Sequence, residues 1–328
     1  MLPGFNYTRP DTLKKAVKEL KSGEDVLLHA GGTDLLGCLH DGVFPASKLV
    51  SVSALEALQG KKKLADGGLK IGALTTIRSV ATDADIRNRY AALAQAAAEV
   101  ASPQLREQGT LGGNLCQKPR CWYYRGDFPC LRKGGDHCFA VKGDNRYHAI
   151  LGGEGCHIVH PSDTAPALVA LDAGLDVAGP RGRRRLAVAE LHVAPADDPM
   201  RETWLERGEV VTAVRIPPHA DGLYSRYRKI RTRRSWDFAI AGCALTLTMD
   251  GDTVDDCRIV LAAAAPVPWR SQAAEEELRG GPLDDESIGA AARAAMAEAE
   301  PLRDNAYKLP LFEGMLTEEL DRARETLT

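Results

Sequence analysis

Four of the eight cysteines lie in one segment that could bind a metal centre. They are spaced Cys121-x8-Cys130-x7-Cys138-x17-Cys156, in a stretch rich in glycine, proline and arginine. Four thiolates can hold an iron–sulfur cluster, and irregular backbone lets four side chains converge on it. Zinc is the main alternative, although structural zinc sites usually contain closely spaced CxxC-type pairs, which this segment lacks. Unliganded or disulfide-bonded cysteines are the third interpretation.

The remaining cysteines carry less information. Cys38, Cys243 and Cys257 stand in apolar surroundings, where a free cysteine acts as a small hydrophobic residue, and Cys116 directly precedes the cysteine-rich segment. The first 19 residues lack the order of a secretory signal, so we expect a cytoplasmic chain in which disulfides are a poor default. A partner that carries a signal could instead export the chain to the periplasm.

Two glycine-rich motifs could bind phosphate. The first is Ala30-Gly31-Gly32-Thr33-Asp34-Leu35, and the second is Thr110-Leu111-Gly112-Gly113-Asn114. Successive backbone N–H groups in such a loop can surround a phosphate. Neither motif is a GxGxxG or GxxxxGK[ST] fingerprint, and an ordinary tight turn remains an alternative for each. Two such loops in one domain favour a shared pyrophosphate ligand.

Alternating short strands and helices would position these loops. We expect strands at 26–30, 48–52 and 69–73, helices at 12–21 and 91–101, and a turn at 110–114. Residues 116–156 have no periodicity, as in a long functional loop, and regular structure is expected to resume at 157–160 and 165–173. Beyond Pro217-Pro218 we expect a hairpin of strands 238–249 and 254–264, followed by helices at 273–278, 286–300 and 309–328.

Composition excludes several classes of protein. The 328 residues are 44% hydrophobic and 27% charged, with a net charge of −3. This is typical of a globular protein of about two domains. No apolar run reaches the roughly 18 residues of a membrane span. The basic run at 226–234 lacks any nucleic-acid recognition motif, so we interpret it as a positively charged edge near an anionic ligand or a partner subunit.

The two glycine motifs, followed by His160-Pro161-Ser162-Asp163, resemble the FAD-binding subunit of the xanthine dehydrogenase and aldehyde oxidoreductase family. The resemblance extends from Phe5 into the C-terminal region. It implies an α+β fold with a vanillyl-alcohol-oxidase-like, PCMH-type FAD-binding domain over residues 1–218, carrying an insertion at about 116–156. A smaller α+β domain of the CO dehydrogenase flavoprotein C-terminal type would follow over residues 219–328.

The resemblance also implies which residues contact FAD. Carried over by position, they are Ala30, Gly31, Gly32, Thr33, Asp34, Leu35, Thr110, Gly113, Asn114, Ser162, Asp163 and Lys229. Lys229 would lie near the isoalloxazine ring. No catalytic residue is implied on this chain beyond the flavin itself.

One branch of this family, which includes 4-hydroxybenzoyl-CoA reductase and a bacterial periplasmic aldehyde oxidoreductase, carries a [4Fe–4S] cluster in an insertion of the flavin subunit. The segment here looks like the aldehyde oxidoreductase version, which implies Cys121, Cys130, Cys138 and Cys156 as ligands. Cys116 is the leading rival for one of these places. His137 and His157, beside the cysteines in sequence, would be exposed or hydrogen-bonded to a sulfur.

In this family a large subunit holds the molybdenum cofactor, and a small subunit holds two [2Fe–2S] clusters. The resemblance therefore implies an electron-transfer subunit of a heteromer, which passes electrons to a terminal acceptor. The alternative is a self-sufficient flavin oxidase of the vanillyl-alcohol-oxidase type. The short C-terminal domain, and the absence of a His or Cys suited to covalent flavin attachment, count against it. A zinc-stabilised binding module is the third interpretation.

Overall fold

The computed structural model describes residues 2–219 and 222–327, and over these residues the chain forms three β-sheets flanked by helices. The expected start of the second domain at residue 219 adjoins Ala220 and Asp221, which lie outside the described residues. The strands are β1 (Asn6–Thr8), β2 (Val26–His29), β3 (Lys48–Ser51), β4 (Lys61–Lys63), β5 (Leu69–Gly72), β6 (Gly174–Gly179), β7 (Gly182–Ala187), β8 (Val210–Ile216), β9 (Tyr224–Ile230), β10 (Ala241–Asp250), β11 (Thr253–Ala262) and β12 (Trp269–Arg270).

Short helices connect most of these strands. They are α1 (Leu13–Leu20), α2 (Leu35–His40), α3 (Ile77–Thr82), α4 (Ala84–Arg89), α5 (Ala91–Glu99), α6 (Pro103–Gln108), α7 (Leu111–Leu115), α8 (Trp122–Arg125), α9 (Thr164–Ala170), α10 (Gln272–Leu278), α11 (Asp285–Ala294) and α12 (Lys308–Leu327). Several begin at a side-chain cap, as α1 does at Thr12, whose hydroxyl accepts from the amide of Lys15.

The first sheet is parallel, with the order β1-β3-β2. Its strands are joined through α1 and α2, because parallel neighbours need a crossover. The second sheet is antiparallel, in the order β4-β5-β8-β6-β7. The third is an antiparallel meander, β12-β11-β10-β9, built on the expected hairpin at Asp250.

One apolar core joins the second and third sheets. The alanine-rich helix α5 buries Ala92 and Ala96 completely and packs on β9, close to Tyr227. Small side chains let the helix lie near the strand, and apolar burial drives this packing. A separate core lies between β10, β11 and the C-terminal helices, around Phe312 and Leu316.

Three expectations about elements need correction. Residues 110–114 do not form a turn: Leu111–Leu115 is a short helix capped by Thr110, whose hydroxyl accepts from the amide of Gly113. No regular element occupies residues 157–160. No strand was predicted at β1, β4, β6, β8, β9 or β12.

The predicted fold class of α+β is confirmed. Strands at 26–30, 48–52 and 69–73 form within one residue of the expected ends. The segment 116–156 is irregular apart from α8 and a turn of 3-10 helix at Leu131–Lys133, as its lack of periodicity predicted.

Candidate functional site: a glycine-lined cleft and a cysteine-lined cavity

Both glycine-rich segments line one large cleft, which we call the glycine cleft. Its volume is about 1180 Å³, slightly above the roughly 300–1,000 Å³ of most small-ligand sites. The sequence-predicted residues that line it are Ala30, Gly31, Gly32, Thr33, Asp34, Leu35, Thr110, Gly113, Asn114, Asp163 and Lys229. Ser162 lies behind this wall and lines an adjoining cavity.

The first glycine loop offers unused backbone donors. It follows β2 directly and leads into α2. Within the described chain, the amide N–H groups of residues 32–35 have no hydrogen-bond acceptor. Consecutive free amides of this kind can bind a phosphate anion. Gly32 has a φ of +73°, which favours glycine, and a Cβ there would lie 2.7 Å from Nε2 of His29.

The second glycine loop has a different role from the one predicted. The amides of Leu111 and Gly112 donate to the carbonyls of Thr75 and Ala73, and those of Gly113 and Asn114 donate to Thr110. These four donors are therefore already used within the chain. A Cβ on Gly112 would lie 2.9 Å from Cβ of Ala73, so glycine here permits close packing.

Asn114 joins the second loop to the motif that follows the cysteine segment. Its Oδ1 accepts from the hydroxyl of Ser162 at 2.6 Å and from that of Thr164 at 2.7 Å. Ser162 also accepts from the amide of Ala165, at the start of α9. Ser162 thus holds one wall of the cleft in place from behind.

Asp163 and Lys229 form a buried ion pair at the wall of the cleft, with Nζ 2.8 Å from Oδ2. Tyr227 donates its hydroxyl to the other carboxylate oxygen at 2.7 Å, and burial beside Asp163 raises the pKa of Tyr227 well above its usual value. Both charges are paired and hydrogen-bonded, as buried charges must be.

Asp34 connects the first glycine loop to the cysteine segment. One carboxylate oxygen accepts from the amide of Lys118 at 2.7 Å, and the other lies 2.7 Å from Arg125 and 2.9 Å from Arg120. Arg120 also stacks over the ring of Phe238 at the edge of the cleft. The residue next to Arg120 is Cys121. Asp34 therefore holds the start of the cysteine segment, residues 118–125, against the wall of the glycine cleft.

The four cysteines singled out by their spacing line one small cavity, which we call the cysteine cavity. Its walls include Cys121, Cys130, Cys138 and Cys156. Cys130 and Cys156 are only 7% and 5% exposed. A hydrogen bond between the thiols of Cys138 and Cys156 lowers the pKa of Cys138 and raises that of Cys156.

A single metal ion needs a tighter grouping of ligands. Over residues 2–219 and 222–327, no group of three or more His, Cys, Asp or Glu side chains is placed to hold one. A zinc site would bring its sulfurs within about 2.3 Å of one point. The cysteine cavity is instead lined by four thiols, the donor set that an iron–sulfur cluster needs.

The other cysteines lie elsewhere. Cys116 lines the glycine cleft, and burial raises the pKa of its thiol to about 12. Cys38 follows the first glycine loop, where burial and the charge of Asp34 raise its pKa to about 11. Cys243 and Cys257 are buried in the C-terminal core, as predicted for small hydrophobic residues.

Among the described residues, His148 is the histidine whose ring has a hydrogen-bond contact with a cysteine sulfur. Its Nε2 lies 3.3 Å from Sγ of Cys121, and the ring is 3% exposed. Burial, together with the charge of Lys308, lowers the pKa of His148 to about 4. His137 instead pairs with Asp136 at the surface. Only the folded chain brings residues 121 and 148 together.

A third cavity, of about 230 Å³, adjoins the other two, and we call it the bridging cavity. Arg120, Asp163 and Phe238 line both this cavity and the glycine cleft. Cys121 and His148 line both this cavity and the cysteine cavity. The bridging cavity therefore lies between the glycine cleft and the cysteine cavity and shares wall residues with each of them.

The basic run at 226–234 is less positive than its sequence indicates. Arg226 and Arg228 pair with the buried Glu319 of α12, and Arg231 pairs with Glu99. Arg233 remains exposed beside Trp236, which has a φ of +53°. Trp236 and Ala101 line the cleft in left-handed backbone conformations, which often occur at functional sites.

The fold and the cleft define a class of dinucleotide-binding α+β proteins, and comparisons with known proteins specify the family. Residues 3–219 match the FAD binding domain in molybdopterin dehydrogenase, and residues 225–323 match the CO dehydrogenase flavoprotein C-terminal domain. The chain belongs to this family of FAD-binding subunits of molybdenum hydroxylases.

Individual relatives agree with this assignment. The chain is 34% identical to the aldehyde oxidoreductase FAD-binding subunit PaoB of Escherichia coli (strain K12), over 98% of this chain and 99% of that subunit. It is 29% identical to the carbon monoxide dehydrogenase medium chain of Hydrogenophaga pseudoflava, over 92% and 89%. A solved structure of carbon monoxide dehydrogenase from Hydrogenophaga pseudoflava, lacking the Mo-pyranopterin moiety of the molybdenum cofactor, matches with a TM-score of 0.80 at 27% identity, over all of both chains.

The chain is therefore an FAD-binding subunit of an oxidoreductase, as the sequence motifs implied. The alternative of a self-sufficient flavin oxidase is not favoured, because these relatives are subunits or chains of larger dehydrogenases. Within the part of the chain that the structure describes, no helix has the length and apolar character to cross a bilayer.

Proposed function

We propose that this chain carries one FAD in the glycine cleft and one [4Fe–4S] cluster in the cysteine cavity, and transfers electrons between them. The observation that carries the proposal is the convergence of four widely spaced cysteines on a cavity that adjoins the cleft. When bound, FAD would supply redox chemistry that can proceed in one-electron or two-electron steps, and the protein would supply binding, orientation and electrostatics.

For FAD, the first loop supplies the phosphate donors. The free amides of residues 32–35 are suited to the pyrophosphate. The amides of the second loop are already hydrogen-bonded within the chain. This loop therefore forms part of the cleft wall, with the side chains of Thr110 and Asn114. Lys229 and Asp163 form a fixed ion pair at the point where the cleft adjoins the bridging cavity.

For the cluster, Cys121, Cys130, Cys138 and Cys156 supply the thiolates. Arg132 lies in the same wall, with a buried side chain that pairs with Glu202 at 3.2 Å. A buried cation compensates part of the negative charge that four thiolates bring to the site. The Asp34 contacts hold this segment against the flavin loop, which favours a short electron-transfer path.

Substrate oxidation belongs to partner chains in this proposal. A large subunit with a molybdenum cofactor oxidises the substrate, and a small subunit with two [2Fe–2S] clusters delivers electrons to this chain. The 34% identity to an aldehyde oxidoreductase subunit supports an aldehyde as the substrate class. We also propose that the FAD-binding domain covers residues 1–218 and that residues 219–328 form the second domain.

Metal and flavin analysis of the anaerobically purified chain tests the proposal. We expect about one FAD, about four irons and about four acid-labile sulfides per chain. Iron-free protein with stoichiometric zinc would overturn the cluster and leave only the flavin assignment. Protein without FAD would overturn the assignment of the glycine cleft.

A further inference from the structure

The ring of His148 is the only histidine ring with a hydrogen-bond contact to a sulfur of the cysteine cavity in the described part of the chain. Its Nε2 lies 3.3 Å from Sγ of Cys121. The backbone of His148 is held by three hydrogen bonds: Asn305 and Lys308 donate to its carbonyl at 3.1 and 3.0 Å, and its amide donates to the carbonyl of Asn145. The ring also contacts the edge of Trp122.

The surroundings of the ring select one tautomer. Nδ1 is buried and has no hydrogen-bond partner among the described residues. A metal-bound thiolate can only accept a hydrogen bond. A proton on Nδ1 would leave one buried donor unpaired and turn the Nε2 lone pair towards the thiolate, which costs free energy. The proton therefore belongs on Nε2, where it points at Cys121.

We propose that His148 is a positioning residue that donates an N–H···S hydrogen bond to Cys121 and raises the reduction potential of the cluster. This inference rests on the proposed four-cysteine ligand set. Hydrogen bonds to ligand sulfur stabilise the more negative, reduced state, and they are one of the means by which proteins set cluster potentials. Because Cys121 and His148 also line the bridging cavity, this bond lies on the flavin side of the cluster.

The test compares His148→Leu, which removes the donor, with His148→Gln, which keeps an N–H group. The matched control is His137→Leu, beside Cys138 in sequence but exposed and paired with Asp136. In redox titrations followed by electron paramagnetic resonance, we expect His148→Leu to lower the midpoint potential. The expected change is about tenfold in the ratio of oxidised to reduced cluster, or ~59 mV for one electron. His148→Gln should recover part of this shift, and His137→Leu should cause none.

A second measurement uses the unmodified protein, in case His148→Leu loses iron. With ¹⁵N-labelled histidine, the reduced cluster should show a weak ¹⁵N hyperfine coupling of the size expected for a hydrogen-bonded nitrogen. Iron-replete protein with no coupling, or an iron-replete His148→Leu variant with unchanged potential, overturns the inference. A strong coupling from a directly bound nitrogen overturns it too. Iron-free wild-type protein overturns the ligand set on which it rests, so the two failures are distinguishable.

Discussion

At the scale of single residues, Gly31 shows how the two glycine loops are held together. A Cβ built on Gly31 would lie 1.9 Å from the carbonyl oxygen of Gln108 and 3.4 Å from Cα of Gly109. Gln108 ends α6, and Thr110 begins the second loop two residues later. The contact is between backbone atoms, so no side-chain movement can relieve a clash there.

We therefore predict that Gly31→Ala displaces the first loop and lowers FAD affinity by at least about tenfold, ~1.4 kcal/mol. FAD retained per chain after gel filtration, and the dissociation constant from flavin fluorescence, measure this. Gly314→Ala is the matched control, because a Cβ on Gly314 in α12 meets no atom within 4 Å. Equal FAD retention in both variants would show that the close approach at Gly31 does not organise the site.

Residue types and spacing could identify the glycine loops and the four cysteines, because these residues act through chemistry that depends on type. They could not show what Asp34 does. Its carboxylate holds Lys118, Arg120 and Arg125, which are more than 80 residues away in sequence. The contact between His148 and Cys121 could not be predicted for the same reason. The two residues are 27 positions apart, which matches no helix or strand period.

At the scale of elements, the cysteine segment is held by the chain around it. Cys130 and Cys121 both line the cysteine cavity, whereas Cys116, at the end of α7, lines the glycine cleft. This division favours Cys121 and Cys130 over Cys116 as ligands in the proposed cluster, a choice that spacing alone left open.

Accordingly, Cys130→Ser should reduce iron from about four to less than about one per chain, because the cluster needs four thiolates. Cys116→Ser should retain iron, and it serves as the matched control. Both variants are measured after anaerobic purification, by iron and sulfide analysis. Iron-replete Cys130→Ser protein together with iron-free Cys116→Ser protein would exchange the roles of the two residues.

Helix α12 also fixes the cysteine segment, through Lys308. This side chain is completely buried, and its ammonium donates to the carbonyls of Tyr147, His148 and Ala263. Burial lowers the pKa of Lys308 to about 7. An unfolded lysine has a pKa near 10.4, so between these two values the unfolded chain binds more protons than the folded chain.

This difference in proton binding determines whether the free energy of unfolding rises or falls with pH. Relative to Lys308→Met, the wild-type free energy of unfolding should rise with pH between about 7 and about 10, by up to ~1.4 kcal/mol per pH unit. Below pH 7 the full cost of burying the charge remains. Urea unfolding at several pH values measures the slope, with the exposed Lys142→Met as the control variant. Parallel pH profiles for wild type and Lys308→Met would show that Lys308 keeps its proton when folded.

At the scale of the whole molecule, sequence patterns predicted the strands with apolar runs and clear turn residues, such as β2, β5 and the β10–β11 hairpin. They missed β9, whose sequence is mostly polar and basic. Its charges are neutralised by distant partners, as Arg226 is by Glu319. Such pairing exists only after the third sheet has packed against α12. The sequence near β9 therefore contains no pattern that predicts the strand.

The central claim is that this chain transfers electrons but does not oxidise an organic substrate itself. Reduction of the flavin by an aldehyde, followed by absorbance under anaerobic conditions, tests it most directly in the lone chain and in the complex with the small iron–sulfur and large molybdenum subunits. Dithionite should bleach the flavin in both samples, whereas the aldehyde should bleach it only in the complex. A lone chain that oxidises an aldehyde, purine or aromatic substrate at a rate on the order of 1 per second or more would contradict the account.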